Sequence, residues 1–184
     1  MTAPLGRAEI TSLPGQVCVP GLADMDEKVR SAAQRAVERG RRVDRLIPAP
    51  LLDSPVSLVG YWWGTAVGWI WGALWSTGRV QRRGGLLVFR GLPPWAFARG
   101  GVCVGGCFLT GEREPSDTVL RHEYVHRRQW RRYGFLMPVL YLLAGRDPLR
   151  NRFEIEAGLI DGGYLRPQRR PRGDEAGSQS RDRP

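Results

Sequence analysis

Lysine is almost absent from this chain: Lys28 is the only one among 28 basic residues. Arginine in its place, with abundant glycine, alanine and proline, reads as the coding bias of a GC-rich bacterial genome rather than as a function. Histidine is nearly absent too, with two in 184 residues, which excludes any metal site built from three imidazoles. Three cysteines, Cys18, Cys103 and Cys107, make an odd number and no disulfide framework, so free thiols in a reducing compartment are expected. The first residues show no basic stretch followed by a long apolar core, so no cleavable signal peptide is expected. That places the chain in the bacterial cytoplasm or at the cytoplasmic membrane. The net charge is +10 and the pI is near 10.7. No zinc-finger, recognition-helix or RNA-binding signature accompanies that charge, so no specific nucleic-acid partner is expected.

Length allows one domain with a tail or an anchor. Residues 1–23 are rich in Pro and Gly without period, and 166–184 hold Arg, Pro, Gly, Ser and Asp without an apolar face. Both are expected to be disordered. Residues 24–46 read as a surface or isolated helix, acidic at its start and basic at its end, with a thin apolar stripe. Then 25 residues pass without a charge, from Ser54 to Gly78. Within them 56–77 is long enough for a membrane anchor or hairpin, which needs about 20 apolar residues. Gly60, Gly64, Gly68 and Gly72 recur every fourth residue, a stripe that lets another helix approach closely. A membrane is therefore the partner expected for this segment, and a buried helix of a soluble core is the alternative.

Beyond it, Leu86–Phe89 is a short apolar run, and 102–109 is a second candidate strand pair broken at Gly105-Gly106. The apolar stretch 135–143 is too short to span a bilayer, and Pro138 interrupts any continuous helix there. Residues 84–165 thus form the candidate folded domain.

Both histidines fall in one motif, His122-Glu123-Tyr124-Val125-His126. Ser116 or Asp117 can cap a helix that Gly134 ends. Positions four apart stack on one helical face, so both imidazoles can point at one metal ion. Glu123, rotated by about 100°, lies beside the metal and is placed to act as general base on a metal-activated water. Zn²⁺ in a catalytic site needs a third protein ligand and an open fourth position. With no histidine left, a carboxylate or thiolate must serve. The segment 151–161, capped by Asn151, carries an apolar stripe of Phe153, Ala157, Ile160 and Tyr164. Glu154 and Glu156 flank that stripe on opposite sides, so amphipathicity does not choose between them. Asp161 stacks on the Glu154 side, where it could orient a ligand from behind, and tilts the choice to Glu154. Cys103 and Cys107 offer a competing thiolate pair in a Gly-rich stretch where small buried residues are ordinary.

The run LRHEYVHRRQW, the apolar YGFLMPVLYLL and then NRFEIEA resemble small bacterial HExxH proteins of the gluzincin kind, over about residues 84–165. Those proteins typically show H-E-x-x-H-x-x-Q followed by N-P-F-E-x-E-A. Their third ligand is the Glu of an E-x-x-A pattern, a slot that Glu154 and Ala157 fill. Many carry an Asp after this Ala to brace a zinc histidine; here Gly158 stands there, and Arg152 stands where Pro is usual. The resemblance implies an α+β fold, a small zincin-like domain of short β-sheet, active-site helix and following ligand helix, preceded by the hydrophobic helix. It also implies a zinc metallopeptidase-like hydrolase acting on a peptide or protein substrate, in a group whose members are mostly of unassigned activity. Tyr124 and Tyr133 are the candidate electrophiles by proximity. The alternative is a membrane-associated interaction protein with a structural or lost metal site and no catalysis.

Overall fold

The computed structural model describes residues 26–97 and 100–166. The expected disordered segments, 1–23 and all of 166–184 but Arg166, lie outside the described residues. The fold is α+β, and its elements begin and end where local chemistry says they should.

Helix α1 (Glu27–Leu46) is capped by the Asp26 side chain, which accepts from the Lys28 N–H, and it stops just ahead of Pro48. Helix α2 (Pro55–Trp75) opens on a capping box between Ser54 and Ser57 with Pro55 in its first turn. Two short strands follow, β1 (Gln81–Arg83) and β2 (Leu86–Phe89), then β3 (Gly101–Val104) and β4 (Cys107–Thr110). Helix α3 (Asp117–Tyr133) carries the histidine motif, and Ser116 caps it by accepting from the Val119 N–H. Gly134, at φ +53°, ends it. Helix α4 (Met137–Leu143) restarts with Pro138 in its first turn, and α5 (Arg152–Ala157) is capped by Asn151.

The four strands form one sheet in the order β1-β2-β4-β3. β1 and β2 are antiparallel, β3 and β4 make the hairpin about Gly105-Gly106, and β2 runs parallel to β4. Alternation along the strands splits the core. Leu86, Val88 and Phe108 pack with Leu120 and Trp130 of α3, while Phe89, Cys107 and Leu109 pack with Leu92 and Ala96. Strand β1 has no apolar run to announce it; Gln81-Arg82-Arg83 is held by pairing with β2 across the Gly84-Gly85 turn.

The expected membrane span at 56–77 requires correction. Among the described residues no helix is long and apolar enough to cross a membrane, because glycines and tryptophans hold the hydropathy of α2 down. Its glycine stripe has another use. A methyl group at Gly60 would strike the Phe135 backbone at 2.3 Å, at Gly64 the Trp130 ring, at Gly68 Val104 and Cys107, and at Gly72 the Phe89 ring. The stripe is how α2 closes onto α3 and the sheet as a wall of the domain.

Nor is α1 isolated. Ala33, Ala36 and Val37 pack against Ile155 and Leu159. Asp44 accepts from the Arg152 guanidinium at 2.8 Å and from the Tyr133 hydroxyl at 2.7 Å, tying α1 to α5 and α3. That gives a reason for arginine at 152: it reaches back to Asp44 while lying over the Phe153 ring. Helix α5 stops sooner than the expected 151–161 stripe. Gly158, at φ +98°, turns the chain, and 158–165 continues as turns.

Candidate metal centre

Helical spacing brings His122 and His126 together on α3, and α5 delivers Glu154 to them. His122 Nε2 lies 3.0 Å from His126 Nε2 and 3.1 Å from Glu154 Oε2, and His126 Nε2 lies 3.5 Å from Glu154 Oε1. Ligand atoms about 2.0–2.1 Å from a tetrahedral metal stand about 3.3 Å from one another. The spacings of 3.0 and 3.1 Å fall a few tenths of an ångström short of that value, and the three groups offer ligand atoms within 4.8 Å of one another, so they could hold a divalent metal. Among the described residues, these three are the group of histidine, cysteine and carboxylate side chains close enough together to hold an ion.

The far ring nitrogens show how the two imidazoles are oriented. His122 Nδ1 is 3.1 Å from the Gly158 carbonyl, and His126 Nδ1 is 2.8 Å from Gln129 Oε1. The Gln129 amide nitrogen in turn donates to the Phe153 carbonyl at 3.1 Å and to Glu156 at 3.3 Å, which fixes its oxygen on the histidine. Both Nδ1 atoms therefore carry a proton, which turns the two Nε2 atoms toward each other and toward a carboxylate. One shared proton satisfies a single contact of the three, whereas a metal satisfies every donor atom.

The electrostatics agree. Burial pushes the Glu154 carboxyl up, but hydrogen bonds with His122 and His126, the His126 charge and the Tyr141 hydroxyl outweigh it and hold the group well below the usual carboxylate range. Burial opposes the charged form of His126, yet its hydrogen bond with Glu154 and the nearby carboxylate charges raise it. Glu123 is the contrary case. Burial lifts its carboxyl above the ordinary value, and His126 and His122 only partly reverse this. Its Oε2 is buried without a hydrogen-bond partner, beside the donor group and engaged with none of it.

Several site expectations need revision. Glu156, the alternative third ligand, is not among the converging atoms; it supports Gln129, and through it His126. Asp161 does not orient a ligand. Once Gly158 ends α5, Asp161 sits at the surface 3.5 Å from Arg121, and the Gly158 carbonyl holds His122 in its place. Tyr133 is spent on Asp44, and Tyr124 is an exposed residue stacked by Arg127. Two other tyrosines stand at the site: Tyr141 of α4, whose hydroxyl donates to Glu154 Oε1, and Tyr164, whose ring is edge-on to His122 at 5.9 Å. Sequence reasoning passed over Tyr141 because nothing local marks it; Gln129 did carry a signal, three residues beyond His126 on the same face. Cys103 and Cys107 stay in the core, their thiols directed at the Gly105 and Thr65 carbonyls, with burial pushing Cys107 up to about 12.

The donor group is also covered. His122, His126, Glu154 and Glu123 are 2–8% exposed, and Gly162 lies so close that a methyl there would sit 2.6 Å from the His122 ring. An open cleft of about 590 Å³ lies along another face of α3, lined by Arg83, Leu120, Arg121 and Tyr124, and no donor residue borders it.

The fold and centre together define a small α+β protein with a buried two-histidine, one-carboxylate group of the HExxH type. No protein-family model, curated protein or solved structure matches the chain.

Proposed function

We propose that this chain is a zinc-dependent hydrolase of the metallopeptidase-like kind, on a small zincin-like domain, with His122, His126 and Glu154 as metal ligands. One observation carries the reading. Two imidazole nitrogens and a carboxylate converge within reach of one metal ion, with Gln129, the Gly158 carbonyl and the Tyr141 hydroxyl behind them. The resemblance to gluzincins agrees with it, and the His₂Glu donor set suits zinc.

When bound, zinc supplies Lewis acidity, activating water and polarising a carbonyl of a peptide or related amide. The protein supplies the rest. Glu123 Oε2, unpartnered and with its proton affinity raised by burial, is the group to accept a proton at the centre and return it to a leaving amine. The Tyr141 hydroxyl occupies Glu154 Oε1, which leaves Oε2 as the ligating oxygen. Gln129 and the Gly158 carbonyl keep each ring in the Nδ1–H tautomer, so that Nε2 faces the metal.

Near-complete burial of the donors favours a second reading, a structural metal that fastens α3 to α5. Catalysis requires the 158–165 turn or α4 to move aside. The two readings part in one experiment. Purified protein is expected to hold about one zinc per chain, and His126→Ala and Glu154→Ala to lose it. Full occupancy in both variants would refute the ligand set. Glu123→Gln is expected to keep the metal and abolish hydrolysis of casein or a peptide library. Hydrolysis by the wild type that Glu123→Gln retains, or none from either, refutes the catalytic role and leaves the structural one.

A further inference from the structure

With its glycine face turned to the domain, α2 presents its opposite face to the outside. Trp62, Trp63 and Trp69 are 51–59% exposed there, while Trp71, Trp75 and Trp95, 38–64% exposed, stack together at one edge of it, with the Trp71 indole N–H donating to the Ala96 carbonyl. Six of the seven tryptophans thus lie at the surface, and only Trp130 is core. Globular proteins seldom leave tryptophan so open. At roughly 200 Å² per side chain, half-exposed rings alone amount to about 600 Å², as large as the largest bare patch of an ordinary monomer. Val59, Ile70 and Leu74 fill the gaps between them.

The patch is continuous. Trp75 and Trp95 meet at 4.6 Å between ring centroids at one end. At the other, Trp63 meets Phe135 at 5.7 Å, and exposed Val139, Leu142 and Leu143 follow on α4. Helix α2, 21 residues long, gives the face a length of about 30 Å at 1.5 Å per residue.

Charge names the occupant. No Asp or Glu occurs from residue 54 to 111, and of the arginines that follow α2, Arg83 and Arg90 are paired with Glu114 and Asp117. Arg79 and Arg82 are exposed immediately beyond the C-terminal end of α2, and among the described residues no carboxylate pairs with either. At the N-terminal end, Asp53 is paired with Arg132 at 3.3 Å. An apolar, tryptophan-rich strip rimmed by arginine and free of acid matches an anionic bilayer surface. Indole rings favour the headgroup level, and guanidinium groups favour phosphate. A second copy fits poorly, because each chain brings a net charge of +10 to the contact.

We propose that the outer face of α2 docks in the plane of an anionic phospholipid bilayer, partly immersed at the headgroup boundary rather than spanning it.

The 184-residue chain is to be sedimented with vesicles of phosphatidylcholine alone and of phosphatidylcholine with phosphatidylglycerol, while tryptophan emission is followed. Binding to the anionic vesicles with a blue shift is expected, and little binding to the neutral ones. Trp62→Gln/Ile70→Gln/Leu74→Gln, which leaves every charge and the glycine face intact, is expected to weaken binding by roughly a hundredfold or more. Arg79→Gln/Arg82→Gln is expected to weaken it by roughly tenfold. Should the triple variant lose its wild-type circular dichroism, Leu142→Gln/Leu143→Gln tests the same surface through α4. Failure of the wild type to bind anionic vesicles overturns the proposal. So does unchanged binding by a folded apolar-face variant, which would place adhesion on charge alone, and so does a stable dimer in ultracentrifugation that hides the tryptophans from vesicles.

Discussion

Gln129 is the residue on which the centre can be tested most sharply. Its side-chain oxygen accepts from His126 Nδ1 at 2.8 Å, and its nitrogen donates to the Phe153 carbonyl and to Glu156. Gln129→Leu keeps the volume close and removes all three bonds. Two groups on α3 and α5 then lose partners in a buried place, the His126 N–H and the Phe153 carbonyl. Each unsatisfied group costs about 1–3 kcal/mol, so the metal-free protein is expected to lose about 2–6 kcal/mol. The metal affinity should fall as well, because nothing then holds the His126 ring with Nε2 toward the site. Loss of such a supporting partner typically costs 10–100-fold, or about 1.4–2.7 kcal/mol. Competition against a chromophoric chelator measures the affinity, and urea unfolding of the stripped protein measures the stability. Glu156→Gln serves as the control, since it leaves the His126 bond in place and should shift affinity far less. An affinity for Gln129→Leu within twofold of wild type, in a protein that is still folded, would refute the argument that Gln129 sets the tautomer.

Three further outcomes follow from the same geometry. Asp44→Ala strands the Arg152 side chain, only 5% exposed, and should cost about 3–5 kcal/mol, seen as a fall in Tm of roughly 10 °C. Adding Arg152→Met should recover most of it, and a loss below about 1 kcal/mol would contradict the pairing. Tyr141→Phe frees Glu154 Oε1 and is expected to lower zinc affinity about tenfold by the same chelator assay; an unchanged value would show the hydroxyl to be idle. Cys107 holds its proton more tightly folded than unfolded, its value rising from 9.0 to about 12. Its contribution is therefore complete below pH 9 and declines as pH climbs towards 12, by up to about 1.4 kcal/mol per pH unit. Cys107→Ala should flatten that alkaline decline in a pH series of urea melts, and parallel curves would count against it.

Local signals account for what could be read in advance. The histidine-bearing helix was legible from Ser116 to Gly134 because caps and a 3.6-residue period act within one turn or two. The β3–β4 hairpin was legible from Gly105-Gly106 between apolar runs, and so was β2. Glu154 and Glu156 stood on equal terms, because both flank the same stripe and amphipathicity reports a face, not a partner. Only the approach of α5 to α3 separates them, directing one carboxylate to the imidazoles and the other to Gln129.

The amino-acid order by itself determined the two imidazoles on one helical face, the carboxylate beside them and that any third metal ligand would come from outside that helix and be no histidine. These follow from spacing along a single helix and from the count of histidines. Tertiary structure alone decided which groups stand behind the donors, namely Gln129, Tyr141 and a carbonyl at Gly158, because each comes from a different element or from backbone that no residue type marks. It also decided the meaning of the charge-free segment. A glycine stripe suits a helix packed in a membrane and a helix packed on a sheet equally well, since close approach is the same requirement in both. Only the neighbours of Gly60, Gly64, Gly68 and Gly72 reveal that the face belongs to the domain's own core, leaving the tryptophans outside.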